Sequence, residues 1–524
     1  MLRKACLRLA VLAAVTVLAA GEPSWLLIKG GTVVNADREF LADVLIKDGL
    51  IKIVGPHLEA PKGAKVLDAS GKLVMPGGID PHTHLDWQWD AKHTIDTFVS
   101  GQSGALAGGT TTHIDFIMPT DDTGDLERAF EEYKALAADS VMDYAFHAIV
   151  RKWNPKVVED MGKLAAQGVA SFKFFMDYKG FNMLPDEAII RGFARCRELG
   201  ALPLIHAENG EAVAWMEEQL TAAGITGPEA SQIAQVSFLE GEATTRALAY
   251  ARLVNVPLYV VHIMSRDAIQ AIAHARTEGQ RVFGETIDGA FGTHNDSSVW
   301  DPDYDTAAKL VTSSAVHDQE HQRYIKRALA TGTLDLIATD HTPWNRAQKR
   351  WGVHDFREIA IGLNTIEFRM HIAWDELVNS GLISHRDYVR LTSTKAAQIF
   401  NMYPQKGAIA ADSDADLIIF DPDEVHTLSA KAHHTASDIC IYEGRTVKGK
   451  VTTTISRGEV VWQDSKLSIK PGRGRFIKRA THGPIFDGYS KQDWIALHFP
   501  QGKTPVTRKL PKRPADAPSL KTEL

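Results

Sequence analysis

The chain has 524 residues, 44% hydrophobic and 23% charged, an ordinary globular composition with length enough for a large core. The formal net charge of −7 is mild and no basic stripe runs along the sequence, which excludes a nucleic-acid partner; "PGRGRFIKR" from Pro471 reads as a solvated turn. The three cysteines, Cys6, Cys196 and Cys440, include no C-x-x-C pair, so cysteine-ligated zinc and a disulfide framework are both excluded.

The chain opens on "MLRKACLRLAVLAAVTVLAAGEP", where Arg3, Lys4 and Arg8 precede an apolar run from Leu9 to Ala20. This reads as a signal peptide over residues 1–21, too short to span a bilayer. A mitochondrial presequence is the rival, because residues 1–21 hold no acidic side chain. Residues 24–77 read as short alternating strands, the N-terminal part of a β-sandwich domain. From 78 to 407 eight apolar runs of strand length alternate with helical patterns such as "DLERAFEEYKALAADS", "DEAIIRGFARCRELG" and "SRDAIQAIAHARTEG". Strands alternating with helices predict parallel pairing and right-handed crossovers, and eight of them predict a (β/α)8 barrel of the TIM type. Residues 408–480 return to short strands, so the small β-domain is built from both chain ends with the barrel between them. The extension 481–524 turns Pro- and Lys-rich and ends in "KTEL", close to a KDEL-type retention address. Together with the leader, that end predicts the endoplasmic reticulum lumen, with secretion or mitochondria as alternatives, and no membrane span in the mature chain.

The chemistry gathers at the strand ends. His82 and His84 share a face of the first barrel strand by its period of two. His206 ends the fifth strand, His262 the sixth and Asp340 the eighth, while Lys173 lies on the fourth, in "ASFKFFMDYKG". All fall at or near the C-terminal rim, where barrel active sites are built, and four histidines with a carboxylate there form a metal constellation. Each residue alone has a plain structural reading, and it is kept for His113 and His147 as core histidines and for Glu285 as a structural partner. Lys173 sits among Phe172, Phe174, Phe175 and Met176, where a bare ammonium is costly. A neutral lysine there can add carbon dioxide, and the resulting carbamate can bridge two metal ions about 3.5–4 Å apart.

The stretches "GGIDPHTHL", "ALAGGTTTHIDF", "SFKFFMDYKG", "HAENG", "PLYVVHIMS", "ATDH" and "YEGRTVKGKV" resemble the cyclic amidohydrolases of the dihydropyrimidinase and hydantoinase group, from about residue 25 to 480. The resemblance implies a metal-dependent hydrolase barrel that opens 5,6-dihydrouracil or dihydrothymine to N-carbamoyl-β-amino acids. It implies two zinc ions per chain: His82 and His84 with Asp340 on one, His206 and His262 on the other, and carbamylated Lys173 (N6-carboxylysine) bridging both along with a hydroxide. Asp340 would move the proton, Tyr178 would stabilise the oxyanion, and Ser313 and Ile361 would hold the substrate's amide edge through backbone atoms. Three departures bear on substrate: "SSAVH" where the group has "SPPLR", "IAIG" where it has "IPNG", and Asp177 where a small residue is common. Leu85, Trp87, Trp89 and Phe175 are expected to wall the pocket. A hydantoinase acting on 5-substituted hydantoins is the alternative. The non-catalytic collapsin response mediator proteins share the fold but lack several of the ligands present here. The resemblance also implies a homotetramer.

Overall fold

The computed structural model describes residues 24–89, 92–293, 299–489, 508–509 and 511–512. The leader and the KTEL end lie outside the described residues.

Eight strands pair in parallel and in chain order: Gly78–Thr83, Thr110–Ile117, Asp143–Ile149, Ser171–Phe175, Leu202–His206, Leu258–Val260, Val282–Ile287 and Leu336–Ala338. A parallel bridge between Thr83 and His341 joins the last strand to the first. The buried Asp80 carboxylate reinforces that seam by accepting the Thr339 amide at 3.2 Å and its hydroxyl at 2.6 Å. The result is the expected (β/α)8 barrel. Thr110–Ile117 and Asp143–Ile149 are buried at every position. Helices cover their outer side and packed side chains fill the interior, which is why these strands read as continuous apolar runs.

The helices between them are capped as their sequences dictate. Asp125 and Ser265 accept the Arg128 and Ala268 amides at the starts of Leu126–Leu136 and Arg266–Thr277. Gly200 ends Asp186–Leu199 at φ +63°, and a Cβ there would fall 2.4 Å from the His482 ring.

Strands from the two chain ends share one mixed sheet. Its seam is the antiparallel pairing of Leu73–Pro76 with Leu417–Thr427. Leu26, Ile28, Val44 and Val74 from the first part pack in one cluster with Ile409, Leu417, Ile419 and Ile455 from the second. The sheet is anchored to the barrel by Lys406, 2% exposed, whose ammonium meets Asp143 at 2.6 Å, Asp414 at 3.0 Å and Asp416. Asp143 opens the third barrel strand, so this ion cluster fixes the barrel's lower end to the sheet.

The basic stretch from Pro471 corrects the sequence reading in part: Pro471 and Gly472 form an exposed turn, but the chain beyond them packs onto the barrel. Phe476 bridges in parallel to Tyr144. Arg479 is 1% exposed and donates to the Phe146 carbonyl, with its guanidinium 5.8 Å from the Phe400 ring centre. Charge along the sequence suggested solvent, whereas the carbonyls at the barrel's end accept the guanidinium and the rings cover its stem.

Candidate active site

The strands deliver their chemistry to one rim. Every residue named from sequence as ligand, catalyst or substrate contact lines the same cavity: His82, His84, Lys173, Tyr178, His206, His262, Ser313, Asp340 and Ile361. Asp340 Oδ1 lies 3.1 Å from Nε2 of both His82 and His84. The His206 and His262 ring centres are 4.4 Å apart, and those of His82 and His262 5.3 Å. Tyr178, His262 and Asp340 hold φ values of +62°, +33° and +49°. Left-handed backbone is costly for residues with a Cβ, and its clustering on one rim marks a geometry the fold imposes.

Glu285, read from sequence as a structural partner, orients this group. Its Oε1 accepts His82 Nδ1 at 2.6 Å and the His262 amide at 2.9 Å, and its Oε2 accepts the Tyr259 hydroxyl at 2.6 Å. With Nδ1 so engaged, His82 presents Nε2 to the rim. His113 bonds Thr83 at 2.8 Å, and His147 bonds the Pro81 carbonyl at 3.0 Å. Both are satisfied core histidines, as their positions suggested.

The electrostatics separate the histidines. Burial pushes His84 down to about 4 and His206 to about 3, and lowers His262 well below its ordinary value. Neutral imidazole is the form whose lone pair takes a cation. His82 differs: burial lowers it, but Asp340 and Glu285 outweigh burial and hold it up at about 9. Its position is built for positive charge between two carboxylates. Burial works against ionisation of Asp340 too, yet His82 and His84 hold that carboxyl well below its usual range.

Lys173 is 1% exposed on the fourth strand. Among the described residues its amine makes no hydrogen bond or ion pair; it lies 4.9 Å from the Phe116 ring centre and 5.0 Å from that of Phe175. Burial brings it down to about 7 against the pull of Asp340 and Glu285, so a large share is the neutral, nucleophilic amine at physiological pH.

Sequence reasoning missed one member of the site. His206 Nε2 faces Asp177 Oδ2 at 3.8 Å and Glu208 Oε2 at 3.7 Å. Ser313 Oγ donates to Glu208 at 3.2 Å, and Tyr178 shares a hydrogen bond with Ser313. Burial pushes both carboxyls up to about 7. Asp177 had been noticed only as a departure. Glu208 went unnamed, although "HAENG" places it two residues past His206. The expected wall also changes. Trp87 lines the cavity with its ring centre 4.7 Å from that of His84, and Phe175 lines it too. Leu85 does not: it is buried against Gly101, where an added Cβ would meet it at 2.2 Å. The strand ends at Thr83, so its alternation no longer governs Leu85. The Trp89 side chain lies outside the described residues.

Two sets of donors, His82, His84 and Asp340 and then Asp177, His206 and Glu208, each gather their ligand atoms within 4.8 Å. Imidazoles and carboxyl groups in two adjoining sets suit a pair of divalent ions. An eight-stranded parallel barrel with such a rim defines a barrel hydrolase built around a binuclear metal site.

Comparison with known proteins carries the assignment further. The amidohydrolase family model matches residues 73–461. The chain is 47% identical to the dihydropyrimidinase of Arabidopsis thaliana over 484 residues, 92% of this chain and 90% of that protein. The crystal structure of dihydropyrimidinase from Brevibacillus agri NCHU1002 superposes with a TM-score of 0.85 at 39% identity, covering 88% of this chain and 99% of that one. A D-hydantoinase from a Bacillus sp. AR9 gives 0.84 at 38% identity, covering 87% and 99%. The chain belongs to the amidohydrolase family and, within it, to the dihydropyrimidinase and hydantoinase group.

These comparisons also overturn the localisation read from the chain's ends. The likeness to dihydropyrimidinases extends over nine-tenths of the chain and carries no secretory assignment. None of the helices among the described residues is long and apolar enough to cross a membrane. The reading of retention in the endoplasmic reticulum is withdrawn.

Proposed function

We propose that this protein opens the ring of 5,6-dihydrouracil and dihydrothymine by hydrolysing the cyclic amide, giving N-carbamoyl-β-amino acids. The observation that carries the reading is the convergence of the whole ligand set, with Tyr178 and Ser313, on one cavity. Two zinc ions would be held, one by His82, His84 and Asp340, the other by His206 and His262, with carbamylated Lys173 shared between them. When bound, such a pair supplies Lewis acidity and a water acidic enough to attack at neutral pH.

The chain's own groups then divide the work. The neutral Lys173 amine adds carbon dioxide and releases one proton, which turns a buried amine into a two-oxygen anionic ligand. Asp340 takes the proton of the attacking water and delivers it to the leaving ring nitrogen. Tyr178 donates to the oxygen on which negative charge develops. Burial and Asp177 hold the Tyr178 hydroxyl well above its ordinary value, so it stays a donor. Trp87 and Phe175 exclude water beside the ring carbons. Ser313 and Ile361 face the amide edge through backbone atoms; the Ile361 carbonyl already accepts the Trp344 indole N–H at 2.8 Å, which leaves its second lone pair.

A second reading, hydrolysis of 5-substituted hydantoins, is favoured by the apolar Ile361 in the cavity wall. The test is steady-state turnover of dihydrouracil, dihydrothymine and 5-phenylhydantoin by zinc-loaded protein. Preference for a dihydropyrimidine is expected; opening of the hydantoin alone would leave the second reading standing. Metal analysis should find two ions per chain, and Lys173→Ala should lose both metal and activity. One ion or none in active protein refutes the binuclear assignment. Assembly as a homotetramer is part of the proposal, and sedimentation tests it.

A further inference from the structure

Among the described residues three lysines are almost wholly buried, and each meets its burial differently. Lys406 has three carboxylates. Lys173 has only aromatic faces. Lys349, 3% exposed at the end of the short helix Arg346–Lys349, has two backbone carbonyls: its Nζ donates to Val311 O at 3.0 Å and to Gly362 O at 2.8 Å. Among the described residues no carboxylate lies within ion-pair distance of it. A buried amine is expensive, and burial pushes Lys349 down to about 7; substituting an apolar side chain would remove that expense unless its two hydrogen bonds have a task.

What it grips defines the task. Val311 immediately precedes Thr312 and Ser313, and Gly362 immediately follows Ile361; Thr312, Ser313, Ile361 and Gly362 all line the catalytic cavity. These are the two segments that face the substrate's amide edge. The Gly362 amide donates to the same Val311 carbonyl at 3.0 Å, so one oxygen receives both the opposite loop and the ammonium. Gly362 stands at φ +137°, and a Cβ would fall 2.4 Å from Thr342 Cβ, so its backbone has no room to shift. Neither Ser313–His317 nor Ile359–Gly362 contains a proline that would stiffen it.

We infer that Lys349 is a positioning residue that locks the two amide-edge loops to one another and thereby sets how tightly the ring is held. The inference rests on the proposed hydrolysis of cyclic amides at this cavity. Lys349 touches neither the metal ligands nor the reacting atoms. Its loss should therefore loosen recognition and spare the chemical step.

The experiment compares zinc-loaded wild type with Lys349→Met on dihydrouracil, with metal content and thermal unfolding measured in parallel. The expected result is a KM raised about tenfold or more, a kcat within about threefold, and unchanged metal content. A residue that only stabilised the fold would lower Tm and leave the KM of folded protein where it was. Folded Lys349→Met with wild-type KM, or with its loss confined to kcat or metal content, overturns the inference. Should that variant not fold, Lys349→Gln carries the test. Its nitrogen ends one bond short and reaches one carbonyl at most, so a smaller rise in KM is expected and a wild-type KM overturns the inference. A wild type inert on dihydrouracil refutes the primary substrate reading, and the same comparison on 5-phenylhydantoin then decides the clamp by the same criterion.

Discussion

Glu285→Gln isolates the contribution of a group that never touches the substrate. The Glu285 carboxylate is fully buried and receives three donors, the His82 ring at 2.6 Å, the His262 amide at 2.9 Å and the Tyr259 hydroxyl at 2.6 Å. Glutamine keeps the shape. Its carbonyl oxygen can still receive His82 and His262, and its amide can donate to Tyr259. The charge is lost, and the Tyr259 hydroxyl must turn from donor to acceptor. Hydrogen bonds to charged groups contribute about 1.5–3 kcal/mol and are roughly twice as strong as neutral ones. Halving the one to His82 costs about 0.75–1.5 kcal/mol in the geometry that presents His82 Nε2. At 1.36 kcal/mol per decade, that is a fall in affinity of about 3–13-fold for the ion bound by His82 and His84. The assay is competition of the purified protein against a calibrated chelator, with metal counted per chain. The first ion to be lost should be the weakened one, and excess zinc should restore turnover. Unchanged affinity, or equal weakening of both ions, would refute the reasoning.

Further outcomes follow from other groups. Because burial lowers Lys173 to about 7, its neutral share rises from about one tenth at pH 6 to about nine tenths at pH 8, so metal loading of apo-protein at a fixed concentration of dissolved carbon dioxide should be about tenfold faster at the higher pH. Stopped-flow loading across that range checks it, and a pH-independent rate would show that the amine is not the reacting group. Lys406→Met leaves Asp414 and Asp416 without their cation, with Arg457 still beside Asp143, and should cost about 3–5 kcal/mol, read as a shift of the urea midpoint. Ile361→Asn should leave metal content unchanged and alter only the ranking of dihydrouracil, dihydrothymine and 5-phenylhydantoin, because Ile361 lines the cavity and is not among the metal-ligating groups.

Local pattern carried the barrel and its ligands, since both depend on strand periodicity. Doubly covered parallel strands appear as unbroken apolar runs, and the period of two in His82-Thr83-His84 aims both rings the same way. The failures occur where the period stops or where the partner is distant. Leu85 lies just past the end of its strand, and Asp86 turns the chain at φ +50°, so extrapolating the alternation put the wrong residue in the wall. Glu285 was visible as an acid within an apolar strand, but its partner His82 is 203 residues away and reaches it only by barrel closure. Glu208 likewise gains its meaning from Asp177 and Ser313, which arrive from other loops.

The buried lysines mark the same boundary more sharply. Lys173 could be singled out because "FKFF" is a strand with no polar neighbour to explain the amine. Lys349 stands in "RAQKRWG", a polar context in which a lysine invites no comment, and Lys406 follows "YPQ" in what reads as a surface turn. All three side chains end below 4% exposure. Sequence context separates a lysine that must be buried from one that need not be, and it is silent on the latter's fate. That fate is settled by what the fold brings to the nitrogen. Carboxylates make Lys406 an anchor, carbonyls of two loops fit Lys349 to the clamp proposed for it, and among the described residues the lack of a polar partner leaves the Lys173 amine open to the proposed carbamylation.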